Sequence, residues 1–512
     1  MSGPRLSRGE VLPLVRRLSG APDPLALYAE LTDGARRSDT LLLETADAAT
    51  GAEERSILVV RSMLRIECRG SAVDVAALSA NGLALAEGIP RRFSDLTSEA
   101  LDESSRLLAP GPLDALRAAV LAPRLVSDPG SFCYFAAGVF AYDLIDLFEQ
   151  LPAARSDPFG FPDYVFWLPD RAVIVDHRRN TTTIVALVVG GAASDGAYHD
   201  AVYDVERLVR TVERIGARDA KHIPAAAPEA GVSTDLDDDG FAALVRLLKR
   251  HVVAGDVFQI VPSRTFSTEC QEPMAAYSRL RKGNPSPYQF LIRGPGFTLL
   301  GASPETAIRA AGNPRQVAIR PIAGTAPRGR AASGAMDPEL DARRQAALMT
   351  DPKELAEHLM LVDLARNDVA RVSRPGTRRV TRLLAVERYQ HVMHLVSEVV
   401  GELADGLDGL HAYVASLNMG TLVGAPKIRA AELLRQHELT KRGCYGGSVG
   451  YLAHDGSLDT AIVIRSAYVK DGIARVRAGA GVVLDSDPMA EAAETRHKAA
   501  AVLRALRGGA AA

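Results

Sequence analysis

Two periods govern where apolar residues fall along the chain. Runs such as "SILVV" (residues 56–60), "RAVIVDH" (171–177) and "TTTIVALVV" (181–189) crowd β-branched and aliphatic residues together and predict strands. "AVYDVERLVRTVERI" (201–215) and "FAALVRLLKRHVVAGD" (241–256) instead return an apolar residue every three or four positions, which predicts helices, the second ending at Gly255. Both periods vanish over residues 216–240, "GARDAKHIPAAAPEAGVSTDLDDDG", a stretch rich in Ala, Pro, Gly and Asp that reads as a linker. The pattern predicts an N-terminal domain at residues 1–215, the linker, and a second domain at 241–512, with mixed α+β architecture.

Composition narrows the function classes. The 512 residues are 47% hydrophobic and 24% charged, the profile of a globular protein with a large core. Sixty basic against sixty-two acidic residues leave a formal charge of −2, and no dense Lys/Arg run points to nucleic acid, so a small-molecule substrate is expected. The basic N-terminal segment is interrupted by Pro13 and further arginines and does not make a secretory signal. No apolar run approaches the roughly 18 residues of a membrane span. Cys68, Cys133, Cys270 and Cys444 form no CxxC pair, which argues against a disulfide framework or a zinc site and for a reduced, cytoplasmic setting.

One motif is written twice. "DPKELAEHL" (351–359) and "DPMAEAAET" (487–495) each set Asp-Pro before two glutamates three apart: Glu354 and Glu357, Glu491 and Glu494. Asp caps free N–H groups and Pro suits the first helical position, so both stretches open helices. Asp351-x-x-Glu354 also matches a capping box. Three-residue spacing puts each pair on one helical face, and two such helices facing each other would converge four carboxylates, which repel unless a cation lies between them. Oxygen ligands without Cys or His suit Mg²⁺ or Mn²⁺.

Those stretches, with "AGDVFQIV", "GASPET", "RPIAGTAPRG", "HLVS", "MGTLVGAPKIRA", "YGGSVGY", "AIVIRSA" and "RAGAGVVLDSDP", resemble the chorismate-utilising enzymes over residues 241–505. Upstream, "LLLETAD", "GVFAYDLIDLFEQLP" and "NPSPYQF" are similar to anthranilate synthase component I. The resemblance implies a two-domain α+β fold of packed antiparallel sheets flanked by helices. It implies that Glu357 and Glu494 ligate Mg²⁺ directly, that Glu354 and Glu491 act through its waters, and that the ion holds the ring carboxylate of chorismate. It further implies Glu305 as general acid, His394 as the residue that removes the ring proton, and Thr421 in the catalytic group. Substrate contacts would come from Thr325, Tyr445, Arg465, Gly479, Ala480, Gly481 and Lys498, with Arg465 and Tyr445 on the pyruvyl carboxylate. His391, near His394, reads as a core residue. The 479–484 stretch lacks the third glycine of a dinucleotide loop, since Leu484 stands there, and in "GTLVGAPK" Lys427 does not directly follow the second glycine of a phosphate loop.

Two positions separate members of the family. Water-using relatives carry a lysine base where this chain has Gln259, whose amide cannot act as a base, and ammonia needs none. Aminodeoxychorismate synthase reads "PIKGT" where this chain reads "PIAGT", with Ala323. The implied reaction adds ammonia at C2 as the C4 hydroxyl leaves, giving aminodeoxyisochorismate, then eliminates pyruvate to leave anthranilate, the first committed step of tryptophan biosynthesis. None of the cysteines sits on a glutaminase elbow, so a separate glutamine amidotransferase subunit is expected to supply ammonia in a hetero-oligomer. A tryptophan feedback site is implied at Glu44, Thr45, Pro287, Tyr288 and Gln289, with Thr45 and Gln289 standing where the family more often has Ser and Met. Two rivals stay open: an enzyme that stops at aminodeoxyisochorismate, and a non-catalytic tryptophan-sensing subunit of the same fold.

Overall fold

The computed structural model describes residues 4–46, 53–97, 101–128, 130, 132–216, 231–312, 315–331, 333–389 and 392–508. Its strands are joined almost entirely by antiparallel pairing and flanked by helices, so the α+β expectation holds.

The apolar runs become strands buried on both faces. In the strand Thr40–Ala46, Leu41 and Leu43 enter one core while Leu42 enters another. Its neighbour Glu53–Arg69 splits the same way, with Ile57 and Val59 on one side and Leu58 and Val60 on the other. A strand covered on both faces has no reason to alternate, which is why "LLL" and "ILVV" read as continuous runs. The predicted strand at residues 181–189 is Thr181–Val189, and the predicted helix at 201–215 lies within Ser194–Gly216.

The boundary at residues 216–240 does not divide the strands into separate sheets. Thr40–Ala46 pairs with Tyr288–Gly294, and Phe135–Phe140 pairs with Ser448–Ala453, so each half of the chain lends a strand to the other. Residues 217–230 lie outside the described residues, and 231–240 differ from a plain linker. Ser233–Thr234 pairs with Ser263–Glu269, and the helix expected from residue 241 starts earlier, at Asp238–Val253. Its N-cap is Asp237, which accepts from the Gly240 N–H at 2.8 Å. The acidic "DLDDDG" that reads as linker is therefore a cap and a first turn favoured by the helix dipole. Gly255, at φ +82°, follows that helix in the left-handed conformation expected of a helix-ending glycine.

Three helices position the chemistry. The C-terminal helix Pro488–Arg507 packs against Asp238–Val253 and against the strands Ser263–Glu269 and Ile473–Gly479, while Pro352–Ala370 lies across Ile322–Pro327 and Val392–Glu402. All four cysteine thiols are buried. No helix among the described residues is long and apolar enough to cross a membrane.

Candidate active site

Both Asp-Pro openings act as read. Asp351 accepts from the N–H groups of Lys353 (2.9 Å) and Glu354 (3.1 Å), and Asp487 from those of Met489 (3.1 Å) and Ala490 (2.8 Å). The Glu354 carboxylate reaches the facing strand, where a Cβ at Gly324 would lie 3.2 Å from its Oε2. The two helices bring the glutamates into one electrostatic neighbourhood. Burial first, then repulsion from Glu357 and Glu494, raises the pKa of Glu354; burial with Glu494 among the repelling charges raises those of Glu357 and Glu491. Glu357 Oε1 accepts from Gln259 Nε2 at 2.9 Å, and Glu494 pairs with Lys498 at 2.6 Å. Among the described residues no three His, Cys, Asp or Glu side chains stand close enough to share one ion. The donor set, four carboxylates linked through repulsion with Glu494 and without Cys or His, fits a hard divalent cation in kind.

Opposite these helices stand an acid and an imidazole. Glu305 lies between the strands Phe297–Ser303 and Thr306–Ala311, 8% exposed, and burial pushes its pKa up to about 8. Thr421, on the short helix Gly420–Val423, donates from Oγ1 to Glu305 Oε1 at 3.1 Å. Such a carboxyl keeps its proton at neutral pH and is able to donate it. His394, on Val392–Glu402, has Nδ1 2.9 Å from Thr325 Oγ1, and the Tyr389 ring meets it edge-on at 5.2 Å. Burial pulls the pKa of His394 down to about 4, so the ring is neutral. His391 lies outside the described residues.

The third group joins a phenol, a glycine-rich strand end and two cationic side chains. Tyr445 is 6% exposed, with its phenol in hydrogen-bond range of the Gly479 backbone. A Cβ at Gly479 would come 2.7 Å from the Pro262 backbone carbonyl, a close approach that requires glycine, while one at Gly481 would press on the Gln259 amide, 2.8 Å from its Nε2. Ala480 between them is fully buried. Arg465 follows the strand Leu458–Ile462 at φ +50°, a conformation costing about 1–3 kcal/mol for a side-chain-bearing residue. Its Nη1 reaches the Lys498 carbonyl at 3.2 Å, and among the described residues it has no carboxylate partner. Lys498 Nζ donates to the Gly479 carbonyl at 3.1 Å. A half-buried arginine held in a strained backbone without a counter-ion is poised to receive one.

The five residues read as a feedback site gather at the seam between the halves. Across paired strands Thr45 faces Tyr288 and Glu44 faces Gln289, while the Pro287 carbonyl accepts from the Ala46 N–H at 2.9 Å. They line a cavity of about 670 Å³ that extends to Pro304, Thr306 and Tyr389, the flanks of Glu305 and His394. Tyr288 donates to Asp459 Oδ1 at 3.1 Å and lies 3.1 Å from Thr306 Oγ1. Glu44 accepts from the Tyr277 hydroxyl at 2.5 Å and pairs with Arg281 at 2.9 Å, and burial still raises its pKa to about 7. Gln289 Oε1 is buried without a hydrogen-bond partner among the described residues.

Sequence reading missed His358, fully buried beside Glu357. Its Nδ1 donates to the Ala323 carbonyl (3.2 Å) and its Nε2 accepts from Ser397 Oγ (2.7 Å), tying the Glu357 helix to the strands of Thr325 and His394. The available signal was its position one step past Glu357, which turns it from the carboxylate face into the core, where an imidazole needs two partners.

Comparison with known proteins identifies the family. The family model for chorismate binding enzymes matches residues 90–504, beginning well before the linker. Anthranilate synthase component 1 of Vibrio cholerae is 48% identical over 504 residues, covering 94% of each chain. The pyocyanine-specific anthranilate synthase component 1 of Pseudomonas aeruginosa is 48% identical over 501 residues, covering 94% of this chain and 92% of its own. The crystal structure of anthranilate synthase component I from Streptococcus pneumoniae superposes with a TM-score of 0.72 at 29% identity, over 88% of this chain and 92% of that one. The chain belongs to the chorismate binding enzyme family, in its anthranilate synthase component 1 branch.

Proposed function

We propose that the chain converts chorismate and ammonia to anthranilate and pyruvate. Glu305, protonated up to about pH 8, gives its proton to the departing C4 hydroxyl. Thr421 occupies Oε1 and leaves the other carboxyl oxygen to carry that proton. Gln259 is an amide bound to Glu357 and offers no base to activate water, so ammonia, a nucleophile on its own, attacks C2. His394 then takes the C2 proton through Nε2, because Nδ1 is engaged by Thr325. Tyr445, Arg465, Gly479, Ala480 and Gly481 hold the pyruvyl carboxylate, and Lys498 completes the substrate wall.

Glu357 and Glu494 would hold Mg²⁺ directly, with Glu354 and Glu491 through its waters; when bound, the ion supplies the counter-charge for the substrate's ring carboxylate. Ammonia comes from a separate glutamine amidotransferase subunit in a cytoplasmic hetero-oligomer. Tryptophan inhibits at Glu44, Thr45, Pro287, Tyr288 and Gln289.

The observation that carries the reading is a buried, proton-holding Glu305 in a chain whose Gln259 is an amide bound to Glu357, at the position where a water-using relative has a base. Purified protein with chorismate, Mg²⁺ and ammonium salt at alkaline pH should develop anthranilate fluorescence, and glutamine in place of ammonium should give none. No fluorescence with ammonium would overturn the proposal and leave the halted-intermediate enzyme or the non-catalytic subunit.

A further inference from the structure

Beneath the carboxylate wall lies a buried ionic cluster that the steps above do not use. Arg442 and Arg477 converge on Glu438, at 2.7 Å and 2.9 Å, with exposures of 2%, 5% and 5%. Two guanidiniums share one carboxylate, and among the described residues neither arginine has a second acid within ion-pair distance. A surplus charge taken out of water is costly unless an opposite charge comes to meet it.

The remaining donors hold the elements that build the site. Arg442 Nη1 donates to the Leu422 carbonyl at 2.6 Å, on the helix of Thr421, and Nη2 to the Val261 carbonyl at 2.7 Å, two residues after Gln259. Its guanidinium stands 4.5 Å from the Tyr142 ring centre and 5.9 Å from that of Tyr445. Arg477, two residues before Gly479 on the same strand, donates to Ser263 Oγ at 2.8 Å and to the Lys441 carbonyl at 2.7 Å. Ser263 in turn donates to Glu438 from its backbone N–H (2.8 Å) and its hydroxyl (2.7 Å).

We infer that the Glu438–Arg442–Arg477 triad is the electrostatic floor of the substrate's carboxylate subsite. Its surplus positive charge attracts the bound anion from behind Tyr445, and Arg442 is a positioning residue that acts through that ring. Arg465 meets the carboxylate directly, and the triad supports it at longer range in a medium that screens weakly. The inference rests on the reading that Tyr445 and residues 479–481 receive a carboxylate.

Arg442→Gln tests it cleanly, because it leaves Glu438 and Arg477 as a balanced pair and strands no charge. In ammonium-driven assays its KM for chorismate should rise tenfold or more with kcat within threefold, and Arg442→Lys should return KM to within threefold of the parent. A folded Arg442→Gln enzyme with KM within twofold, or a Lys variant no better than Gln, overturns the inference. If Arg442→Gln does not fold, Arg477→Gln removes the same unit of charge from the other arm and carries the same two outcomes. Tyr445→Phe separates the two levels. An unchanged KM there sinks the subsite reading itself, whereas a raised KM beside a normal Arg442→Gln sinks only the triad.

Discussion

Glu305 and Glu44 are both buried glutamates with raised pKa values, about 8 and about 7, yet their surroundings are opposite. Glu305 has no cation in ion-pair contact among the described residues and only a hydroxyl, Thr421, to bond. Glu44 touches Arg281, which Asp23 (2.6 Å) and Glu53 (2.8 Å) also claim, so three acids share one guanidinium. The first environment keeps a proton on the carboxyl at neutral pH, as the proposed acid role requires. The second leaves a deficit of positive charge, which suits the proposed binding of an amino acid's ammonium. Burial sets the pKa in both, and the neighbours decide whether the group serves as an acid or as an anion.

The largest expected effect is on Glu305. Glu305→Gln should cut kcat roughly a hundred- to ten-thousand-fold, read as anthranilate fluorescence, since general acid catalysis contributes on that scale. The same variant tests the burial argument through stability. Between about pH 4.5 and 8 the folded carboxyl keeps a proton that the unfolded one has released, so wild-type stability falls as pH rises through that window. Glu305→Gln should therefore melt above wild type at pH 9, with the gap closing toward pH 5; parallel Tm curves would mean that Glu305 ionises normally. Next in size, Glu44→Gln should raise the tryptophan concentration for half-inhibition at least tenfold. In the wild type that concentration should climb by up to about tenfold between pH 8 and pH 6, as Glu44 takes up a proton around 7. Smaller again, Thr421→Val removes a bond that favours the ionised carboxylate, so the alkaline limb of kcat should move upward by less than one pH unit. Last, with His394 held neutral down to about 4, kcat should be flat on the acid side from pH 7 to pH 5; a limb near 6.5 would show an ordinary imidazole there.

Much of the site was legible because its signals are local. Asp-Pro followed by Glu-x-x-Glu fixes a cap, a first turn and a face within one stretch of chain, and both helices form as that chemistry requires. What escaped depends on partners far apart in sequence. Nothing near Glu305 announces that Thr421 will bond it, 116 residues on, and nothing near Arg442 announces Val261, 181 residues back. The strand runs were clear as strands, but a run buried on both faces carries no alternation to say which neighbour it joins, so the exchange of strands between the halves stayed hidden. The linker reading fails at its end for the converse reason: "DLDDDG" is polar and irregular by composition, and only the capping geometry of Asp237 shows that the helix has begun.

The strand at Thr40–Ala46 has a consequence for how the chain is made. Its one edge meets Glu53–Arg69 almost at once, but the other waits for Tyr288–Gly294, so Thr45 is synthesised about 240 residues before Tyr288, its partner, exists. At ordinary elongation rates of about 5–20 residues per second the ribosome holds that edge open for roughly ten seconds or more, with a row of unpaired N–H and C=O groups beside leucines. The first half therefore leaves the ribosome as an unfinished sheet that is prone to pair with the wrong strand, and protection during translation matters more for this protein than for one whose halves fold in turn.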